Sequence, residues 1–158
     1  MMKLIGWTLA ISAGLGLASP AWGCTLCSCS ASTTGISFGG YDPTASAPRD
    51  GAGSVTLSCT GVISLVGTID IAISPGLSGD ALARQMAQGS GRLNYNLYTT
   101  ASRTTIWGNG SSGTSTVTAT LNGLLSFSQT VPVYGRIAAG QWPQAGAYAD
   151  SLIVTITY

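Results

Sequence analysis

Histidine and glutamate are absent from the 158 residues, and the single lysine is Lys3. Without histidine, a serine or cysteine nucleophile lacks its usual base. Without glutamate, paired-carboxylate hydrolysis would have to draw on two of the five aspartates. Those aspartates, Asp42, Asp50, Asp70, Asp80 and Asp150, mostly stand beside Gly or Pro or at segment ends, where turn and cap roles account for them. No enzyme and no cofactor is expected. Charge of either sign is scarce, at 7% of the chain. After residue 23, Arg49, Arg84, Arg92, Arg103 and Arg136 balance the aspartates, so nothing favours nucleic acid or an anionic membrane surface. Hydroxyl and amide side chains dominate instead. Such a neutral surface repels its own kind poorly and suits association. Val, Ile, Leu and aromatic residues recur throughout, which argues against disorder.

Long apolar runs are few. The clearest is Leu4 to Ala18, preceded by Met1-Met2-Lys3, broken by Pro20 and followed by the small-residue pattern Ala21-Trp22-Gly23. This is the layout of a secretory signal peptide over residues 1–23, with cleavage before Cys24. The run is short and glycine-rich for a membrane anchor, and no basic cluster follows it. A lipoprotein site at Cys24 is the rival, but Ala21 and Trp22 suit that motif poorly. The expected product is one exported domain, 24–158, with no stable membrane insertion.

Only four cysteines occur: Cys24, Cys27, Cys29 and Cys59. An exported chain meets an oxidising compartment, so disulfides are expected, and counting leaves all three full pairings open. Cys24 and Cys27 have the spacing of half a zinc knuckle, but the other half is one cysteine with no histidine. No metal is expected.

Helical periodicity is nearly missing. Asp80 to Gln88, with Leu82 and Met86 on one face, is the one candidate helical piece. Elsewhere apolar residues alternate with period two between Gly, Asn, Asp, Ser and Pro. Strands are predicted over Ser30–Phe38, Ser54–Thr60, Thr68–Ser74, Leu93–Tyr98, Thr104–Trp107, Thr114–Leu121, Leu125–Ile137 (with a bend at Pro132) and Tyr148–Tyr158. Short strands at this spacing imply an all-β sandwich. The last strand carries no charge or proline after Asp150; it is either a central strand or an unprotected edge.

Gly108, Gly110 and Gly113 match a dinucleotide-binding spacing, but a threonine-rich, strand-favouring segment follows where a helix is required. A hairpin turn is expected there. The aromatic residues read mainly as packing, with Trp107 and Trp142 as the better candidates for surface contacts.

Several stretches, taken in order, resemble the spore coat protein U family, which includes subunits of archaic chaperone–usher pili. They are Cys29-Ser30-Ala31-Ser32, Ile36 to Pro43, Val55 to Thr60, Leu93 to Tyr98, Val133 to Ile137, and Gly146 to Tyr158. The resemblance implies an immunoglobulin-like sandwich of pilin type that lacks its last strand. It implies partners that fill the gap: a periplasmic chaperone, then a neighbouring pilus or coat subunit, delivered through an outer-membrane usher. By β-augmentation the exposed strand with Leu152, Val154, Ile156 and Tyr158 would be the partner-binding strand. The resemblance also implies a Cys29–Cys59 disulfide, leaving Cys24 and Cys27 to pair with each other or stay free. It points to the cell surface, with roles in adhesion or biofilm.

One departure stands out. Only Cys24 to Ser28 would precede Cys29, about 18 Å of extended chain at most, with no alternating apolar pattern. This subunit is expected to accept a strand without donating one, as a terminal subunit or a free coat protein. The competing expectation is a self-contained secreted carbohydrate- or surface-binding module using Trp107, Trp142 and the tyrosines.

Overall fold

The structure, a computed structural model, describes residues 27–61 and 65–158. The expected signal peptide, Cys24 and most of the short segment before Cys29 lie outside these residues. Eight strands are described: β1 (Cys27–Ser37), β2 (Arg49–Gly61), β3 (Leu65–Ile73), β4 (Gln85–Gln88), β5 (Gly91–Tyr98), β6 (Val117–Gly123), β7 (Ser126–Ile137) and β8 (Val154–Thr157). They form a five-stranded sheet of order β1-β2-β7-β5-β4 and a three-stranded sheet of order β6-β3-β8. All named pairings are antiparallel. The chain is therefore the all-β sandwich that the alternation predicts.

Alternation decides what is buried. Val55, Leu57 and Cys59 on β2, Ile69, Ile71 and Ile73 on β3, and Leu93, Tyr95 and Leu97 on β5 meet in one core. Each buried side chain of this size contributes roughly 1.5–3 kcal/mol. A disulfide joins Cys29 to Cys59, with Cα atoms 4.1 Å apart. The two residues stand directly opposite in the β1–β2 register, so the bond staples the two strands side by side. It closes a separation of 30 residues, for which loop-closure entropy gives about 3.5 kcal/mol. Replacing Cys29 and Cys59 together by alanine should lower unfolding stability by about that amount in urea titration.

Four local expectations change. Asp80 to Gln88 is not helical: residues 81–83 turn and Gln85–Gln88 is strand β4, so Met86 faces the core through strand rather than helix periodicity. The last strand is shorter than Tyr148–Tyr158, because Ala149 first bridges to Ala87 on β4 and β8 starts only at Val154. Thr104–Trp107 is reduced to isolated bridges at Ile106 and Trp107. The glycine-rich segment 108–113 does turn, but it leads to a parallel bridge between Trp107 and Ser115 rather than to a hairpin. Pro132 continues β7 without interruption. β5 pairs only with Tyr134 to Ile137, so at Pro132 that flank of β7 has no ladder to lose.

Trp107 is fully buried, and its Nε1 donates to the Ile71 carbonyl at 2.9 Å. Its apolar rings and that one hydrogen bond make it core, not a surface contact. Trp107→Phe should cost about 1–3 kcal/mol, because the Ile71 carbonyl would lose its buried donor; thermal denaturation followed by circular dichroism measures it.

Candidate functional site

Period two places Cys29, Ala31 and Thr33 on one face of β1, opposite Cys59, Leu57 and Val55. Those three partners are buried, yet Ala31 and Thr33 are exposed. The inner face of β1 is therefore uncovered from Ala31 onward. Its outer edge is bare too, since among the described residues β1 pairs with β2 alone. β8 repeats the situation in the other sheet, where among the described residues it pairs with β3 alone. Leu152, Val154 and Ile156 pack against the core but stay half-buried, whereas Ile71, the partner of Ile156, is completely buried.

Between the two bare edges lies an open cleft of about 320 Å³. Thr33, Thr34, Gly35, Ile36 and Phe38 line one side, and Leu152 and Val154 the other. Its floor is the core itself: Val55, Ile73, Met86, Tyr95, Leu97 and Val133. A register shift between Thr34 and Ser37 re-aims the end of β1, and Ile36 and Phe38 then turn toward the core. Gly53 and Gly135 make room for them. A Cβ would come within 2.7 Å of Ile36 Cγ1 at Gly53 and within 2.6 Å of Phe38 Cζ at Gly135. Phe38 meets Tyr95 edge to face, with centroids 5.9 Å apart.

One end of the cleft is closed by residues 148–150. Ala149 exchanges two backbone hydrogen bonds with Ala87, at 2.9 and 3.1 Å. Asp150 then accepts from the Tyr95 hydroxyl at 2.7 Å, the Leu77 amide at 3.0 Å and its neighbour's amide, Ser151, at 2.8 Å. Gly76, at φ 72°, packs against this carboxylate so closely that a Cβ would collide with it. Burial, followed by the hydrogen bond to Asp150, pushes the Tyr95 phenol well above its ordinary range. The unfolded chain releases this proton near pH 10 while the native chain keeps it, so stability should fall as pH rises beyond about 10. Alkaline titration of unfolding should show a weaker fall for Tyr95→Phe, which has no proton to release.

Both edges present unpaired backbone N–H and C=O groups, and the floor between them is apolar. Such edges and such a floor are chemically suited to pairing with an extended segment, backbone to backbone along a ladder and side chain to apolar surface. Among the described residues no group of three or more His, Cys, Asp or Glu could hold a metal, and no helix is long and apolar enough to cross a membrane.

The structure gathers the sequence-predicted strand residues unevenly. Leu152 and Val154 line the cleft. Ile156 lies farther along β8, and Tyr158 follows the strand's end with 45% of its surface exposed. Trp107 in the core removes half of the aromatic pair proposed for carbohydrate, while Trp142 stays 75% exposed. The β1 wall, Thr33 to Phe38, escaped the sequence reading; the clue was Ile36 and Phe38 alternating across Ser37 with no charge nearby. Cys27 is also disulfide-bonded.

The Spore Coat Protein U domain matches residues 22–155. The chain belongs to this family. Protein U of Myxococcus xanthus is 32% identical to it over 136 residues, covering 78% of this chain and 71% of that protein. Among solved structures, the family member aligns with a chain in the crystal structure of the CsuC–CsuE chaperone–tip adhesion subunit pre-assembly complex from the archaic chaperone–usher Csu pili of Acinetobacter baumannii. The TM-score is 0.56 at 22% identity, over 84% of this chain and 40% of the solved one. The chain thus spans less than half of that solved chain, and the likeness is one of fold: an immunoglobulin-like pilin sandwich.

Proposed function

We propose that this spore coat U domain is an exported structural subunit of a chaperone–usher type surface assembly, and that its cleft accepts a strand. The observation that carries this reading is the pair of unpaired edges, β1 and β8, bordering an opening onto the core. A periplasmic chaperone supplies the strand first and a neighbouring pilus or coat subunit replaces it, with an outer-membrane usher as the site of exchange. Leu152, Val154 and Ile156 form the partner-binding strand, with Tyr158 at its end. Residues 1–23 act as the signal peptide, domain 24–158 reaches the cell surface through the periplasm, and the assembly serves adhesion or biofilm. The solved relative's description as a chaperone–subunit complex supports the choice of partner.

Expressed with its signal peptide in a host supplying a cognate periplasmic chaperone, the chain should co-purify with it at one to one. A stable monomer that never acquires the chaperone would sink the reading. In the same reading Cys27 pairs with Cys24. Intact mass spectrometry should then show a mature chain starting at Cys24 that takes up no alkylating reagent until reduced, and afterwards takes up four equivalents, one for each cysteine.

A further inference from the structure

We propose that a second pocket, between loops 75–82 and 109–114, binds the edge of a neutral sugar ring. It encloses about 130 Å³, well below the roughly 300 Å³ and more of a drug-sized site, so it suits one edge of a pyranose. Asp80 and Asn109 each spend one oxygen on their own turn: Asp80 Oδ1 accepts from the Leu82 amide at 2.8 Å, and Asn109 Oδ1 from the Ser111 amide at 3.1 Å. The other carboxylate oxygen of Asp80, the Asn109 amide nitrogen and the Ser112 hydroxyl have no hydrogen-bond partner among the described residues. They offer an acceptor, a donor and a group that is both, which is what adjacent ring hydroxyls require. Ile73 and Leu82 add apolar lining for the ring's C–H face. Asp80 is the only ionisable side chain in the lining, so an anionic ligand is disfavoured.

The pocket is held ready from behind. Arg84, completely buried, donates to the carbonyls of Ser74 at 2.9 Å and Ala81 at 3.0 Å, which flank the first loop. It also donates to the Trp107 carbonyl at 2.8 Å, just ahead of the second. One guanidinium thus fixes both rims before any ligand arrives, which lowers the ordering cost of binding. Ser112, with φ of 52°, holds a left-handed backbone on the rim, a strain that concentrates at binding sites. The pocket shares only Ile73 with the strand-accepting cleft, so the two sites can be filled together.

Amide chemical-shift mapping of the isotope-labelled chain against the methyl pyranosides of glucose, galactose and mannose tests this. Perturbations should centre on loops 75–82 and 109–114. Asp80→Asn and Asn109→Asp each keep the turn acceptor, and should weaken binding at least tenfold with an otherwise native spectrum. Ser112→Ala removes one hydroxyl alone and should also weaken it, which decides the matter if the other variants misfold. The proposal fails if no glycoside perturbs these loops, if the shifts centre on Trp142, or if all three variants bind normally. Chaperone co-purification stays intact in every case, so this failure is separable from that of the assembly reading.

Discussion

Replacing Arg84 with methionine is expected to cost the fold about 5 kcal/mol. The reason is geometric. Arg84 has no carboxylate within salt-bridge distance; its guanidinium is spent on the carbonyls of Ile73, Ser74, Ala81 and Trp107 and on Asn96 Oδ1 at 2.9 Å. Methionine fills much of the volume and none of the hydrogen bonds, leaving several buried acceptors unpaired at about 1–3 kcal/mol each. Burial already lowers the Arg84 pKa from its usual value, so these contacts hold a charge the interior resists. Equilibrium urea unfolding of the Arg84→Met chain measures the loss. A change under 1 kcal/mol would show that the carbonyls find other donors, and the network would then be a bystander.

The second large effect runs the other way. An alternating apolar strand joined to the C-terminus through a short flexible linker should raise stability by about 4 kcal/mol, if the free strand binds at micromolar strength and the linker supplies a millimolar effective concentration. The gain comes from covering the half-buried Ile36, Leu152 and Val154 on the cleft walls and from completing the ladders of β1 and β8. Leu152→Asp should remove most of the gain, since a carboxylate would face the inserted side chains without a partner. Thermal melting of the joined and unjoined chains decides it. Equal midpoints would mean that the cleft does not accept a strand.

Much of this architecture was legible from alternation. Val55-Leu57-Cys59, Ile69-Ile71-Ile73 and Leu93-Tyr95-Leu97 each face the core as period two requires. The Cys29–Cys59 bond came through the family resemblance, since counting cysteines leaves the pairings open; the proposal of a strand-accepting cleft began from the same resemblance. Asp80 to Gln88 was misread because Leu82 and Met86 stand four apart by coincidence: Leu82 is 46% exposed in a turn, and Met86 is buried from strand β4. Trp107 was misread because glycine and polar residues follow it, while the Ile71 carbonyl that receives its N–H is 36 positions away in sequence. Arg84 was invisible for a similar reason. Its partners come from four separate stretches of chain, and nothing local distinguishes it from the exposed Arg92. Asp50 and Asp70 were taken for turn residues but sit in strands, with Asp50 bonded to Arg136 at 2.7 Å and Asp70 to Thr118 at 2.6 Å across the sheets.

The Cys29–Cys59 staple has a mechanical consequence. A strand seated between β1 and β8 would be pulled along its own axis, so its ladder bonds would share the load and yield together. Peeling, which breaks such bonds one after another at far lower force, needs one wall of the groove to swing away. β1 is an edge strand paired only with β2 among the described residues, with little packing over its inner face, and by itself it would be the wall to go. Tied covalently to β2, which pairs with β7 along its whole length, it cannot separate at that end. On the proposed reading, a seated strand under tension would shear rather than unzip.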